Sequence, residues 1–167
     1  MKNSTVGLLA RIGLALLAVV AMVATMTGCS SEDGEAAGAG VGECFAALPG
    51  TDASTIDCSD QKAVYKVAQS SESETTCATD YTAAERKTGD STAYLCLVPN
   101  FHQDGCYSDT GQTGYQSVDC AAPEASFRVL QRIDGEADEL LCGADATGFR
   151  VVTDDPKVTF CTGAAKP

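Results

Sequence analysis

Cysteine has the most chemistry to offer in this 167-residue chain, which holds nine cysteines, one histidine and no tryptophan. Cys29 stands apart from the other eight. It closes the run Met26-Thr27-Gly28-Cys29, downstream of Lys2, Arg11 and an uncharged stretch from Ile12 to Thr25. This is the layout of a bacterial secretory signal, residues 1–28, whose cleavage leaves Cys29 as a lipid-bearing N-terminus with palmitate-type acyl chains. The apolar run is about 15 residues, short of the roughly 20 that a spanning helix needs, so a lipid anchor is expected rather than a transmembrane one. Residues 29–40 are small and polar without apolar periodicity and read as a flexible tether, on the order of 20 Å across. The expected location is the extracytoplasmic face of the cell membrane, with Cys29 holding the protein to the bilayer.

The remaining cysteines are Cys44, Cys58, Cys77, Cys96, Cys106, Cys120, Cys142 and Cys161, separated by 14, 19, 19, 10, 14, 22 and 19 positions. An even number in an exported chain implies a disulfide framework. No Cys-x-x-Cys is present for thiol redox work. The cysteines are not closely paired and His102 is the sole histidine, so no zinc site is expected. The first four and last four cysteines carry nearly the same ruler, and other residues follow it. Thr55-Ile56-Asp57-Cys58 answers Ser117-Val118-Asp119-Cys120, while Ala63, Tyr65 and Val67 answer Ala125, Phe127 and Val129. Shared spacing with shared apolar positions indicates duplication. Two bridges within each half are expected. Locality favours Cys44–Cys58, Cys77–Cys96, Cys106–Cys120 and Cys142–Cys161; a first-to-fourth, second-to-third arrangement in each half is the alternative. Loops of this length are worth about 3 kcal/mol each in the chain-entropy model.

Other chemistry is sparse. His102 lies in a polar stretch, Pro99 to Gly105, and no nucleophile-elbow signature surrounds a serine, so it reads as a solvated loop residue. Asp154-Asp155, and Glu136 with Asp138-Glu139, offer oxygen ligands but lack calcium-loop spacing. Tyr107 and Tyr115 flank a Gly-rich loop, Asp109 to Gly114. They could form an exposed contact patch, although turn chemistry between two strands accounts for them more simply. No catalytic, cofactor-binding or metal-binding residue is expected, and no cofactor.

Charge narrows the partners. The whole chain has a formal charge of −12. Without residues 1–28 it keeps nine basic and 23 acidic side chains, a formal charge of −14. Nucleic acid is excluded as a partner, because phosphate binding needs a basic footprint. The expected partner is an envelope protein, a wall polymer or a basic peptide.

The elements that must carry this framework are mostly strands. Ala63–Val67 and Phe127–Ile133 alternate apolar and polar residues, as half-buried strands do. Tyr94–Val98 is a continuous apolar run ending at Pro99, and Val158–Cys161 is its shorter counterpart. Thr79–Lys87 reads as a helix, with a Thr79 or Asp80 cap, an early acid, Arg86-Lys87 at the end and Gly89 as the stop. Glu136–Leu141 reads as a short turn or strand. The expected class is α+β, mainly antiparallel β, in two small disulfide-stapled repeat units, 41–99 and 104–162, joined at the polar stretch.

The pattern Gly-x-Cys-aromatic, then Val/Ile-x-Cys, then an alternating strand resembles the septum-formation-type domain of actinobacterial envelope proteins. A lipobox followed by two four-cysteine units, with Tyr94-Leu95-Cys96-Leu97-Val98-Pro99 closing the first, is similar to a family of cysteine-rich actinobacterial lipoproteins. That domain carries Pro-His at the third and fourth positions after its second cysteine. Here those positions hold Gln61-Lys62 and Pro123-Glu124, so no role of that histidine carries over. The resemblance implies an exported, membrane-anchored, non-catalytic module. The alternative expectation is an extracytoplasmic enzyme with its site between the two units.

Overall fold

Strand β1 (Cys44–Phe45) opens the fold, followed by β2 (Tyr65–Ser71), β3 (Thr82–Thr88) and β4 (Ser91–Pro99). Then come β5 (Cys106–Asp109), β6 (Tyr115–Val118), β7 (Phe127–Asp134), a 3-10 turn (Glu139–Leu141), β8 (Gly148–Val152) and β9 (Val158–Gly163). The structure is a computed structural model that describes residues 40–50, 53–111 and 114–166. The signal, Cys29 and the tether up to residue 39 lie outside the described residues. The described residues belong to one unit, Asp33–Pro167. No helix among them is long and apolar enough to cross a membrane.

Every pairing between these strands is antiparallel. The first sheet has the order β1-β2-β4-β3 and the second β6-β5-β7-β9-β8. The alternating sequences become β2 and β7, and the two apolar runs become β4 and β9. Each sheet turns one face inward. Ala93, Leu95 and Leu97 of β4 and Val158 and Phe160 of β9 are almost wholly buried. Cys96 and Val98 on β4, and Thr159 and Cys161 on β9, are buried as well, as a continuous apolar run in an interior strand allows.

The helix expected over Thr79–Lys87 is not formed, and the α in α+β goes with it. Among the described residues the only helical piece is the three-residue 3-10 turn. The segment becomes β3, hydrogen-bonded to β4 along its whole length from Thr82↔Leu97 to Thr88↔Ser91. A nine-residue surface helix is marginal in water, whatever its caps. A two-residue turn at Gly89-Asp90, with Gly89 at φ +58, instead delivers the segment to a buried neighbour. Arg86 turns inward, donates from Nε to the Ala53 carbonyl at 3.0 Å and lies over the Phe45 ring.

The structure joins Cys44 to Cys58, Cys77 to Cys96, Cys106 to Cys120 and Cys142 to Cys161, the local pairing. Apolar side chains from both sheets form one buried cluster rather than two thin ones. One of its largest members comes from the stretch read as a polar junction. Phe101 is fully buried and its ring centroid lies 4.5 Å from Tyr107, 5.0 Å from Tyr115, 5.1 Å from Phe160 and 5.4 Å from Phe127. Such tilted and edge-on aromatic pairs add stability beyond the area they bury. The adjacent Asn100 is buried with its polar atoms matched. Its Nδ2 donates to the carbonyls of Cys58 (2.9 Å) and Ala63 (3.0 Å), and its Oδ1 accepts from Arg132 Nη1 (3.0 Å). Few aromatics suffice because both sheets share them.

Candidate functional site

The candidate residues separate once the chain is folded, and most serve the framework. Tyr107 and Tyr115 are buried, so they form no exposed patch. Burial pushes both phenols above their ordinary range. Tyr107 Oη accepts from the His102 backbone N–H at 2.7 Å, and Tyr65 Oη accepts from the Tyr115 backbone N–H at 2.7 Å. The loop between them does join two strands, β5 and β6, and Gly114 at φ +71 shows why glycine is there. A Cβ at that position would collide with Tyr65 Oη.

His102 is half-buried rather than solvated, and its Nε2 is enclosed without a hydrogen-bond partner. Burial, and then the Arg132 guanidinium, hold its pKa below the ordinary value. Of the acidic candidates, Asp138 has its carboxylate engaged, while Glu136 and Asp155 take part through their backbone carbonyls. Asp138 caps the 3-10 turn by accepting from the Leu140 N–H. The Glu136 carbonyl accepts from Thr159 Oγ1, and the Asp155 carbonyl accepts from Tyr81 Oη. Among the described residues no three His, Cys, Asp or Glu side chains converge as metal ligands would.

Two features of the outward faces can act on another molecule. On the first sheet a pocket of 410 Å³ opens over the Cys77 side of the Cys77–Cys96 bridge. Its lining includes Glu74, Ala83, Glu85 and Tyr94. Ala83 lies directly across from Cys96, and Glu85 directly across from Tyr94. A small residue over the disulfide leaves the hollow, and two carboxylates beside an aromatic ring suit a basic group.

On the second sheet the corresponding place is filled outward instead. Phe149 lies directly across from Cys161, which carries the bridge to Cys142. Directly opposed residues share a face, so Phe149 stands beside that bridge. The 3-10 turn packs against β8 and β9 and brings Leu140 and Leu141 to the same region. Phe149 is 54% exposed, Leu140 84% and Leu141 43%. The turn is held in place by its Asp138 cap, by the bridge, and by Thr159 Oγ1, which also accepts from the Asp138 N–H at 3.0 Å.

Sequence reasoning singles out neither feature. Periodicity shows which residues share a strand face but not which strand ends a sheet. The run Gly148-Phe149-Arg150-Val151-Val152 carries the available signal, a β-branched and aromatic stretch six residues after Cys142.

No protein-family model, curated protein or solved structure matches the chain. The described residues form an antiparallel β domain with four local disulfides; of its exposed large apolar side chains, Phe149, Leu140 and Leu141 lie on β8 and the adjoining turn, and Val41 lies ahead of β1.

Proposed function

We propose that this protein is a membrane-anchored extracytoplasmic lipoprotein that acts as a non-catalytic binding or adaptor module in the cell envelope. The observation that carries the binding reading is the fixed exposure of Phe149, Leu140 and Leu141 around the Cys142–Cys161 bridge. Large apolar side chains gathered at one place and held there by a disulfide mark an interaction surface. The anchor rests on the Met26-to-Cys29 run and the acidic, small-residue tether.

The partner in this reading is an envelope protein, wall polymer or basic peptide. The acidic balance of the chain and the Glu74–Glu85–Tyr94 lining of the first-sheet pocket favour a basic one.

The module is built from two duplicated septum-formation-type units, 41–99 and 104–162, as in cysteine-rich actinobacterial envelope lipoproteins. Several registers support this. Cys44↔Lys66 is answered by Cys106↔Arg128, and the bulge between Val67 and Gln69 by one between Val129 and Gln131. Bridges spanning 14 and 19 residues occur in both units. The Cys44↔Ile56 bridge pair stands where Cys106↔Val118 begins the β5–β6 ladder.

The test is cross-linking of the anchored protein in cells, with mass spectrometry of the captured species. A reproducible envelope partner is expected; a protein that captures nothing and runs as a monomer would overturn the adaptor reading. Cys29→Ala should leave an unprocessed or mislocalised chain, and full processing with normal membrane retention would refute the lipid anchor.

A further inference from the structure

The four sheet edges are not alike. On the first sheet, β1 is two residues long and is backed by the Ile56 bridge. The opposite edge, β3, presents Glu85 and Lys87, with Arg86 turned inward between them. Charged side chains and short strands are the usual means of keeping other chains off an edge. On the second sheet, β6 is four residues long and its Tyr115 is buried and tied to Tyr65. The remaining edge, β8, reads Gly-Phe-Arg-Val-Val. Among the described residues no strand lies beyond it. It contains no Lys or Pro and no bulge in its register with β9.

Three further observations bear on what such an edge would accept. The first is shape. Phe149 on β8 and Leu140 and Leu141 on the turn packed against β8 and β9 are exposed apolar side chains beside the edge, and the turn is fixed by its cap and the bridge. The second is charge. Glu136, Glu139, Asp145, Asp154 and Asp155 flank the strand in sequence, against Arg150 and Lys157, and Asp80 lies at its end, where it accepts from the Thr153 N–H and hydroxyl. Arg150 leans over the Tyr115 ring, 4.7 Å from its centroid, so part of that positive charge is engaged. The third is the whole-chain charge of −12, which sets two copies of this protein against each other.

We propose that β8 is a docking edge that accepts an extended, basic segment of another polypeptide as an additional strand. The inference rests on the binding reading above and specifies its surface and partner chemistry. Main-chain hydrogen bonds from the β8 edge hold the incoming strand, alternate apolar side chains rest on Phe149 and Leu141, and its cations face the carboxylates. Strand addition of this kind draws affinity from the backbone and specificity from alternate side chains.

The test uses the full chain, oxidised and held in nanodiscs of zwitterionic lipid. The probe is a seven-residue peptide alternating lysine with valine and threonine. Hydrogen exchange followed by mass spectrometry should show new protection across 148–152 and none across 82–88. Phe149→Lys should weaken binding at least about tenfold, as should Leu140→Lys to a smaller degree, because each adds a like charge and removes apolar contact. Both side chains are exposed, so the variants keep the fold, checked by an unchanged melting temperature. A glutamate twin of the peptide should bind at least about tenfold more weakly, and a proline-interrupted one should give no β8 protection.

Four results would overturn the proposal: no binding of the lysine peptide, binding without protection at β8, equal affinity for the glutamate twin, or β8 protection that rises with protein concentration alone. The last would make the occupant a second copy. The in-cell cross-linking separates this failure from failure of the binding reading. A partner captured equally by wild type and Phe149→Lys leaves an adaptor that binds elsewhere; no partner in either removes the adaptor itself.

Discussion

Replacing Phe101 with alanine tests whether the two sheets stand or fall together. The ring sits two residues past β4 of the first sheet, where the Asn100 N–H is tied to the Val64 carbonyl, yet it is fully buried against four aromatic neighbours that all lie on the second sheet, on β5, β6, β7 and β9. Truncating a buried phenylalanine to alanine costs about 3–5 kcal/mol through lost transfer free energy and the cavity left behind. Loss of several aromatic pairs, each worth about 0.5–1.5 kcal/mol, puts Phe101→Ala at about 4 kcal/mol or more. Phe101→Leu keeps most of the volume and should cost about 1–2 kcal/mol. For a domain of this size each kcal/mol moves the melting temperature by roughly 3–4 °C, so Phe101→Ala should melt about 12–16 °C lower. The assay is urea and thermal unfolding of the oxidised protein, followed by near-UV and far-UV circular dichroism. One coincident transition is expected for wild type and variant, because the cluster spans both sheets. A loss below about 1.5 kcal/mol, or separate transitions for the two sheets, would refute the shared core.

Two further outcomes follow from positions where the chain has little freedom. Gly111 and Gly114 both have positive φ, but only Gly114 faces a neighbour where a Cβ would go. Gly111→Ala should therefore cost about 1 kcal/mol and Gly114→Ala clearly more, read as the difference in melting temperature. His102 is the only histidine, so its imidazole resonances are unambiguous in a proton NMR titration. Its midpoint should fall below the ordinary value of 6.5, with burial as the leading cause and Arg132 second. A group with a depressed folded pKa takes up its proton more readily when unfolded. Stability should therefore decline as pH falls from the unfolded value toward the folded one, and His102→Gln should flatten that slope. A midpoint above 6.5 would contradict the enclosure of Nε2.

Much of the sheet framework is legible in the residues, for a physical reason. A strand with one buried face must alternate, so Tyr65, Val67, Phe127 and Val129 announce β2 and β7 without knowledge of any pairing. The cysteine ruler does the same for the bridges, since partners 14 or 19 residues apart need only a short excursion to meet. β3 defeats a local reading because Thr79–Lys87 satisfies helix rules, whereas its state is decided by a neighbouring strand further along the chain. Asn100-Phe101 defeats one because a polar, proline-bounded stretch looks like a linker. Burial there depends on Arg132 and on carbonyls of Cys58 and Ala63, which no local pattern discloses. The β8 surface is hidden for a related reason: an edge is a property of sheet order, and sheet order is not local.

Each bridge joins a cysteine to the next one along the chain, without nesting or crossing. With Cys29 set aside for the proposed lipid anchor, a polypeptide delivered N-terminus first meets each native sulfur partner before any later one has arrived. Oxidation can run in the order of synthesis, with no wrong bond to undo. The aromatic cluster obeys no such order, because Phe101 waits for Phe127 and then for Phe160, near the far end. Covalent closure is sequential while packing is completed last, so the early bridges hold an unfinished first sheet together until the second supplies its share of the interior.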